Sequence, residues 1–110
     1  IISYGIYFDS GKDKVKPESY GALKEIATIL KDNPDLKIIV VGHTDSDGNE
    51  KSNLDLSKRR AANVKNALIS EFSIASDRID TDGKGQSEPI EPNTSVENKA
   101  KNRRVEFIKK

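Results

Sequence analysis

Four consecutive β-branched residues, Ile38 to Val41, constrain the fold of this chain more than any other feature. Apolar residues at every position predict a strand that is covered on both faces, spanning residues 36–41. The chain then changes abruptly to polar and glycine residues from Gly42 to Asn49. Because ligands bind beyond the carboxyl ends of strands in open α/β sheets, this polar loop is the first place to expect a site.

The flanking sequence alternates between strand and helix patterns. β-branched and aromatic residues predict strands at residues 2–8 and 79–81, and alternation predicts an exposed or half-buried last strand at residues 105–107. Apolar spacings of three and four predict helices at residues 18–31, entered through Pro17, and at about residues 50–72, capped by Asp47 or Asn49. The polar stretch from the third strand to Asn102 is predicted to be loop.

Size, charge and composition exclude several classes of protein. With 110 residues the chain has the size of one domain, residues 1–110. Its net charge of +1 supplies no field to hold nucleic acid, and the absence of cysteine excludes disulfides and thiolate sites. No apolar stretch reaches the roughly 18 residues that span a bilayer, so no membrane contact by this domain is expected. Because the sequence opens directly in a strand, we expect a domain of a longer protein.

Asp45, Asn53 and Arg60 form the candidate binding site. Asp45 lies in the loop before the second predicted helix, where the helix dipole favours a carboxylate. Asn53 and Arg60 are about two turns apart and project from one helix face, with Leu56 on or near that face. Such a set suits a small molecule with an ammonium and a carboxylate, since arginine binds carboxylates through two parallel hydrogen bonds. Alternatively, Asp45 and Arg60 pair with each other or face solvent.

The spacing of these residues resembles a known motif. Residues 42–64 read G-H-T-D-x-x-G-x-x-x-x-N-x-x-L-S-x-x-R-A-x-x-V, which is similar to the signature of the OmpA-like C-terminal domain family. That family includes peptidoglycan-associated lipoproteins and the periplasmic domains of flagellar-motor stators. The likeness extends to three other segments. Phe8-Asp9-Ser10 with Lys16-Pro17 resembles the family's opening strand and helix entry. Gly83-Lys84-Gly85 with Pro89 resembles its late loop, and Asn102-Arg103-Arg104-Val105-Glu106 resembles its closing strand.

The resemblance implies an α/β (α+β) fold of order β-α-β-α-β-β, with helices packed on a mixed four-stranded sheet. It implies a non-catalytic module without cofactors or metals that binds peptidoglycan through the diaminopimelate residue of the stem peptide. Such a module anchors an outer-membrane or envelope protein to the cell wall from the periplasm. Attachment to the outer membrane would lie upstream of Ile1, and a weak homodimer is compatible with the likeness.

The resemblance also assigns roles to individual residues. Asp45 and Arg60 match the family residues that hold the ammonium and the carboxylate of the diaminopimelate side chain. Asn53 matches an asparagine that lines the same pocket and is expected to contact the peptide backbone. Arg103 matches an arginine that reaches the pocket from the last loop, and Leu56 is expected to supply backbone or apolar contact.

Two positions depart from the family pattern. Asp47 stands where other members often carry a small hydroxyl residue, so its role in binding is open. Gly11 stands where some members place a polar side chain, which leaves only backbone groups to contribute.

Other kinds of site are disfavoured. His43 is the sole histidine, so it completes neither a catalytic triad nor a conventional zinc site, and we interpret it as structural. With Gly48 at the sixth position of a calcium loop, His43 would stand first and Leu54 twelfth, where acidic ligands are needed. Gly83-x-Gly85 lacks the third glycine of a dinucleotide site.

Two other functions remain open as alternatives. Asp45 and Asp47 could serve as the paired carboxylates of a wall hydrolase, although no nucleophile with a base and no metal cage accompanies them. The fold could also act as a protein-interaction or stator-type dimerisation module without wall binding. Binding of a wall ligand by an isolated monomer would argue against the second alternative.

Overall fold

Four strands and three α-helices make up the part of the chain that the computed structural model describes, residues 2–110, with side chains from residue 6 onward. The strands are β1 (Ile2–Tyr7), β2 (Ile38–Gly42), β3 (Ile79–Gly83) and β4 (Arg104–Lys109), and the helices are α1 (Tyr20–Asp32), α2 (Glu50–Phe72) and α3 (Val96–Asn102). Ile1, upstream of which the attachment segment is expected, lies outside the described residues. Within residues 2–110, no helix combines the length and apolar character that crossing a membrane requires.

The strands form one sheet in the order β1-β4-β2-β3. β2 runs parallel to β3, with Val40 opposite Thr81, and antiparallel to β4, with Val40 opposite Phe107. β1 pairs antiparallel with the other side of β4, where Ile6 lies opposite Val105. The sheet is therefore mixed, and the predicted α/β (α+β) class is confirmed.

The core lies between the sheet and the apolar stripes of α1 and α2. Residues at alternate strand positions point into it, because successive strand side chains face opposite sides of a sheet. The core residues from strands include Ile6, Val40 and Phe107, and those from helices include Leu23, Ile26, Leu30, Ala61, Val64 and Leu68. On the opposite face of β2, Val41 is buried and Ile39 is half-buried. The prediction that both faces of this strand are buried therefore holds at its carboxyl end, next to the polar loop, and only in part at Ile39.

The last strand is half-buried, which is one of the two alternatives predicted, and it lies inside the sheet. β4 pairs with β1 on one side and with β2 on the other, and both Val105 and Phe107 are 0% exposed. Glu106 and Ile108, which point to the other face, are half-buried. The alternation in sequence reflects these two faces, and it carries no information about whether a strand lies inside the sheet or at its edge.

Helix α3 occupies part of the stretch predicted to be loop, so that prediction is wrong for Val96–Asn102. The helix is short and largely polar, and it therefore has no apolar stripe to reveal it in the sequence. Its local signal is the cap, since the Ser95 hydroxyl oxygen accepts a hydrogen bond from the backbone N–H of Asn98 at 3.1 Å. Asn102 is fully buried, and its side-chain oxygen accepts hydrogen bonds from the N–H groups of residues 90 and 91.

The other boundaries lie close to those predicted. Helix α2 spans the predicted residues 50–72, and its cap is Asn49, whose side-chain oxygen accepts a hydrogen bond from Ser52 N at 2.7 Å. Helix α1 begins at Tyr20 and not at residue 18, because Pro17–Ser19 first forms a 3-10 turn. β2 begins two residues later than predicted and ends one residue later, at Gly42.

The last residue of β2 brings the strand into backbone contact with α2. A Cβ atom at Gly42 would lie 2.0 Å from the carbonyl oxygen of Ser57, so only glycine permits this approach. The contact sets the loop after β2 beside the first turns of α2, which carry Asn53 and Arg60. The candidate site residues are therefore brought together by a glycine that makes no polar side-chain contact itself.

Replacing Gly42 by alanine should lower the free energy of unfolding by about 3 kcal/mol, because the new methyl group must push Ser57 away from β2. Denaturant titration followed by circular dichroism measures this loss. Gly21→Ala is the matched control, since a Cβ at this position in α1 would meet no heavy atom within 4 Å. It should raise stability by about 0.5–1 kcal/mol. Equal effects of the two substitutions would contradict the close strand–helix contact.

Candidate functional site

Asp45 lies in the acid loop, residues 43–49, which connects β2 to α2. Its side chain is only 6% exposed, and both carboxylate oxygens accept hydrogen bonds. Oδ1 accepts from the backbone N–H of Asp47 at 3.0 Å, and Oδ2 accepts from Arg103 Nη1 at 3.0 Å. The carboxylate is therefore held by its own loop and by Arg103, and no N–H group of α2 donates to it among the described residues.

Arg60 is fully buried, and its guanidinium donates hydrogen bonds to neutral carbonyl groups. Nε donates to Lys12 O at 2.8 Å, Nη1 to His43 O at 2.9 Å and Nη2 to Asp9 O at 3.1 Å. One face of the guanidinium lies over the ring of Phe8, with Cζ 5.0 Å from the ring centroid. Among the described side chains, no carboxylate forms an ion pair with Arg60, so neither Asp45 nor solvent neutralises it directly.

Burial sets the electrostatics of this arginine. The pKa of Arg60 is lowered to about 10, and burial is the main cause. The charge of Asp45 raises this pKa, whereas the charge of Arg103 lowers it further. The group is still a cation at neutral pH. A buried charge without an ionic partner is costly, because three neutral carbonyls compensate only part of the lost hydration. The site therefore favours a ligand that brings a carboxylate to Arg60.

Arg103 closes the site over Asp45. Its Nε donates to Phe8 O at 2.9 Å, and its Nη1 makes the bond to Asp45. The side chain of Arg103 is 16% exposed, against 6% for Asp45, so it lies on the solvent side of the carboxylate. The three predicted charged groups thus converge, but in this state Asp45 is paired with Arg103.

Asn53 organises the acid loop from the first turns of α2. Its Nδ2 lies within hydrogen-bonding distance of Asp45 O at 3.3 Å, Asp47 O at 3.0 Å and Gln86 Oε1 at 2.7 Å. The amide therefore joins the acid loop to the loop after β3. Leu56, one turn further along α2, is buried with 7% exposure.

Asp47 lies at the edge of the site and is half-exposed. Lys99 Nζ of α3 lies 2.9 Å from its Oδ1, so the helix that the sequence did not predict reaches the acid loop. Gly11 has φ of +68°, a backbone conformation that suits glycine, in the segment that supplies the carbonyls of Asp9 and Lys12 to Arg60. The two residues that depart from the family pattern, Asp47 and Gly11, thus lie close to the charged residues of the site.

Several residues that complete the charged site were not predicted from the sequence. Asp9 and Lys12 contribute backbone carbonyls, which carry no sequence signal because every residue has one. Lys99 lies in the stretch predicted to be loop, and Gln86 follows the turn glycines without belonging to the motif. Phe8 belongs to the motif, but only the tertiary structure shows that its ring lies against Arg60.

A second charged cluster lies behind the acid loop. His43 is 2% exposed, and its Nε2 is 2.6 Å from Glu106 Oε1, although the carboxylate lies outside the direction of a ring N–H hydrogen bond. Arg104 Nη2 donates to the same carboxylate oxygen at 3.0 Å. Burial lowers the pKa of His43, as does Arg104, and these effects outweigh the opposite influence of Glu106 and Glu88. The buried position agrees with a structural role for this histidine.

Comparison with known proteins finds relatives along nearly the whole chain. The sequence model of the OmpA family matches residues 7–103. Outer membrane porin F of Pseudomonas aeruginosa is 39% identical over 105 residues, which cover 96% of this chain and 30% of the porin. The peptidoglycan-binding protein ArfA of Mycobacterium bovis is 38% identical over 103 residues, which cover 94% of this chain and 31% of ArfA. The chain therefore spans about a third of the length of these two relatives.

A solved structure extends the likeness to three dimensions. The crystal structure of the peptidoglycan-associated lipoprotein from Burkholderia pseudomallei matches with a TM-score of 0.90 and 27% sequence identity. The match covers 96% of this chain and 89% of that one. The two proteins therefore share nearly the whole fold of this chain.

Stability should fall as the pH drops below 6.5, in a way that depends on His43. Because the pKa of His43 is lowered on folding, the unfolded chain takes up a proton there before the folded protein does, and acid favours unfolding. We expect the free energy of unfolding of the wild type, relative to His43→Gln, to decrease by up to about 1.4 kcal/mol per pH unit in this range. Denaturant titrations of both proteins at neutral and mildly acidic pH measure it. A difference that does not change with pH would contradict a buried neutral ring.

Proposed function

This chain belongs to the OmpA family, and on that premise we propose that it binds peptidoglycan non-covalently and without turnover, as an anchor to the cell wall. The names of two similar proteins support the proposal, since ArfA is described as peptidoglycan-binding and the Burkholderia lipoprotein as peptidoglycan-associated. The ligand is a polymer with charged peptide stems, so the question is which charged group of the stem the site recognises.

The observation that carries the proposal is the buried, unpaired cation at Arg60. Three of its N–H groups hold backbone carbonyls, and one N–H on each terminal nitrogen has no partner among the described residues. Two N–H groups on neighbouring nitrogens match the two oxygens of a carboxylate. A ligand carboxylate bound there would neutralise the charge that burial leaves uncompensated.

The side-chain end of diaminopimelate supplies both required charges. Its carboxylate binds Arg60, and its ammonium binds Asp45, the acid whose charge raises the pKa of Arg60 most strongly. The ammonium takes the position that Arg103 Nη1 occupies in this structure. Binding is therefore an exchange of one ion pair for another, and Arg103 is the side chain that moves because it is the more exposed partner.

The remaining predicted residues support this exchange. Asn53 holds the backbone of Asp45 and Asp47 in place and lies where a peptide backbone would pass over the acid loop. Leu56 is buried and is proposed to supply an apolar contact. Asp47 and Lys99 form an ion pair at the edge of the site.

The domain's cellular setting follows from the same proposal. We propose that residues 1–110 are one domain of a longer envelope protein, held in the periplasm and attached to the outer membrane through a segment outside this sequence. A weak homodimer remains compatible with wall binding, because the proposed ligand site uses residues of a single chain. A hydrolase is not supported by the contacts, since Asp45 and Asp47 are each paired with a different cation.

Asp45→Asn should weaken binding of diaminopimelate by roughly 30-fold or more, because the ligand ammonium loses its buried counter-charge. The asparagine oxygen can still accept the hydrogen bond from Asp47 N, so the loop should keep its shape. Isothermal titration calorimetry measures the affinity, and thermal unfolding checks the fold. The matched control is Asp55→Asn, an exposed acid of α2 that pairs with Arg59. If both variants bind like the wild type, Asp45 does not hold the ligand.

The site should also distinguish diaminopimelate from lysine in otherwise identical stem peptides. Lysine keeps the side-chain ammonium but lacks the carboxylate that Arg60 requires, so its peptide should bind about 100-fold more weakly or worse. Competition between the two peptides for the wild-type protein measures the ratio. Equal affinities would show that the buried arginine does not read the ligand's carboxylate.

A further inference from the structure

A cleft of about 480 Å³ lies on the far side of Asn53 from Asp45. The first turns of α2 form one wall through Lys51 and Leu54, and residues 84–87 of the loop after β3 form the other. This volume falls in the range of small-molecule sites, so the cleft has room for part of a peptide. We call it the lysine cleft, because it is lined by Lys51 and Lys84.

One hydrogen bond links the lysine cleft to the proposed diaminopimelate site. Gln86 lines the cleft, and its Oε1 accepts from Asn53 Nδ2 at 2.7 Å. The same amide nitrogen reaches the carbonyl of Asp45. The Asn53–Gln86 contact therefore links the acid loop to a lining residue of the cleft.

The cleft carries a net positive charge that the protein leaves largely unpaired. Among the described side chains, Lys51 has no carboxylate partner, and Lys84 has Asp82 at 3.5 Å with both groups about half exposed. Glu50 also lines the cleft and offsets one of the two cations. An exposed ion pair of this kind is weak, so the two ammonium groups are available to a bound anion.

The wall opposite α2 is fixed in position before any ligand arrives. Gly85 has φ of +57°, and a Cβ there would lie 3.2 Å from backbone atoms of Leu54. Its N–H donates to Ser57 Oγ at 2.9 Å, and its carbonyl accepts from Thr44 N at 2.9 Å. Since Thr44 directly precedes Asp45, the cleft and the acid loop form one rigid unit.

We infer that the lysine cleft is a second subsite, in which Lys51 and Lys84 bind a carboxylate of the stem-peptide residue next to diaminopimelate. The inference rests on the proposed function, because the peptide must first be held at Asp45 and Arg60. The subsite adds selectivity for the charge state of the stem. A stem whose neighbouring carboxylate is converted to an amide keeps diaminopimelate recognition and loses the contact with the lysines.

Calorimetry with three probes tests the subsite: free diaminopimelate, a tripeptide in which diaminopimelate follows glutamate, and the same tripeptide with that glutamate amidated. The wild type should bind the acidic tripeptide about fivefold more tightly than the amidated one, and high salt should remove the difference. Lys51→Ala with Lys84→Ala should abolish the preference without changing the affinity for free diaminopimelate. Lys24→Ala with Lys31→Ala, which removes two exposed lysines of α1, is the charge-matched control and should keep the preference.

The possible results separate the subsite from the proposed function. Equal binding of the acidic and amidated tripeptides by the wild type, with free diaminopimelate still bound, would overturn the subsite alone. The same would follow if Lys24→Ala with Lys31→Ala reduced the preference as much as Lys51→Ala with Lys84→Ala, since the effect would then be one of net charge. Failure of the wild type to bind any of the probes would overturn the proposed function and the subsite together.

Discussion

The placement of the Arg60 guanidinium inside the protein, where its hydrogen-bond partners among the described residues are all carbonyl oxygens, is the constraint on which the rest of the site depends. Those carbonyls come from two separate segments, since Asp9 and Lys12 lie between β1 and α1, and His43 lies after β2. The opening segment, the acid loop and helix α2 must all be in place before the cation is satisfied even in part. Because no described carboxylate pairs with Arg60, the fold is organised around a buried charge that the proposed ligand carboxylate would neutralise.

The same constraint explains why the strands and helices meet as they do. Gly42 allows β2 to touch the backbone of α2 at Ser57, about one turn before Arg60, and His43 O contacts the Arg60 guanidinium. β4 lies inside the sheet, and Arg103, which directly precedes it, lies beside Asp45. The pairing with Arg103 means that the buried carboxylate of Asp45 is not left without a counter-charge.

Local patterns in the sequence were sufficient to predict the fold class and the bounds of α2. An apolar stripe and a cap at Asn49 are direct sequence signals of a long helix. Such patterns were insufficient for α3, a largely polar helix of seven residues that is held by hydrogen bonds between Asn102 and residues 90 and 91. The resemblance to the family predicted that Asp45, Arg60 and Arg103 belong to one site. It could not show that Asp45 is paired with Arg103 or that Arg60 is enclosed, because both depend on tertiary contacts with residues that carry no signal.

The central claim is that Arg60 is completed by a ligand carboxylate while the ligand's ammonium replaces Arg103 on Asp45. A crystal structure of the domain with diaminopimelate tests it most directly. We expect the carboxylate oxygens about 3 Å from the two terminal nitrogens of Arg60, the ammonium about 3 Å from Asp45, and Arg103 turned away from Asp45. A bound ligand elsewhere on the surface, with the Arg103–Asp45 bond intact and Arg60 still enclosed by carbonyls alone, would contradict the account.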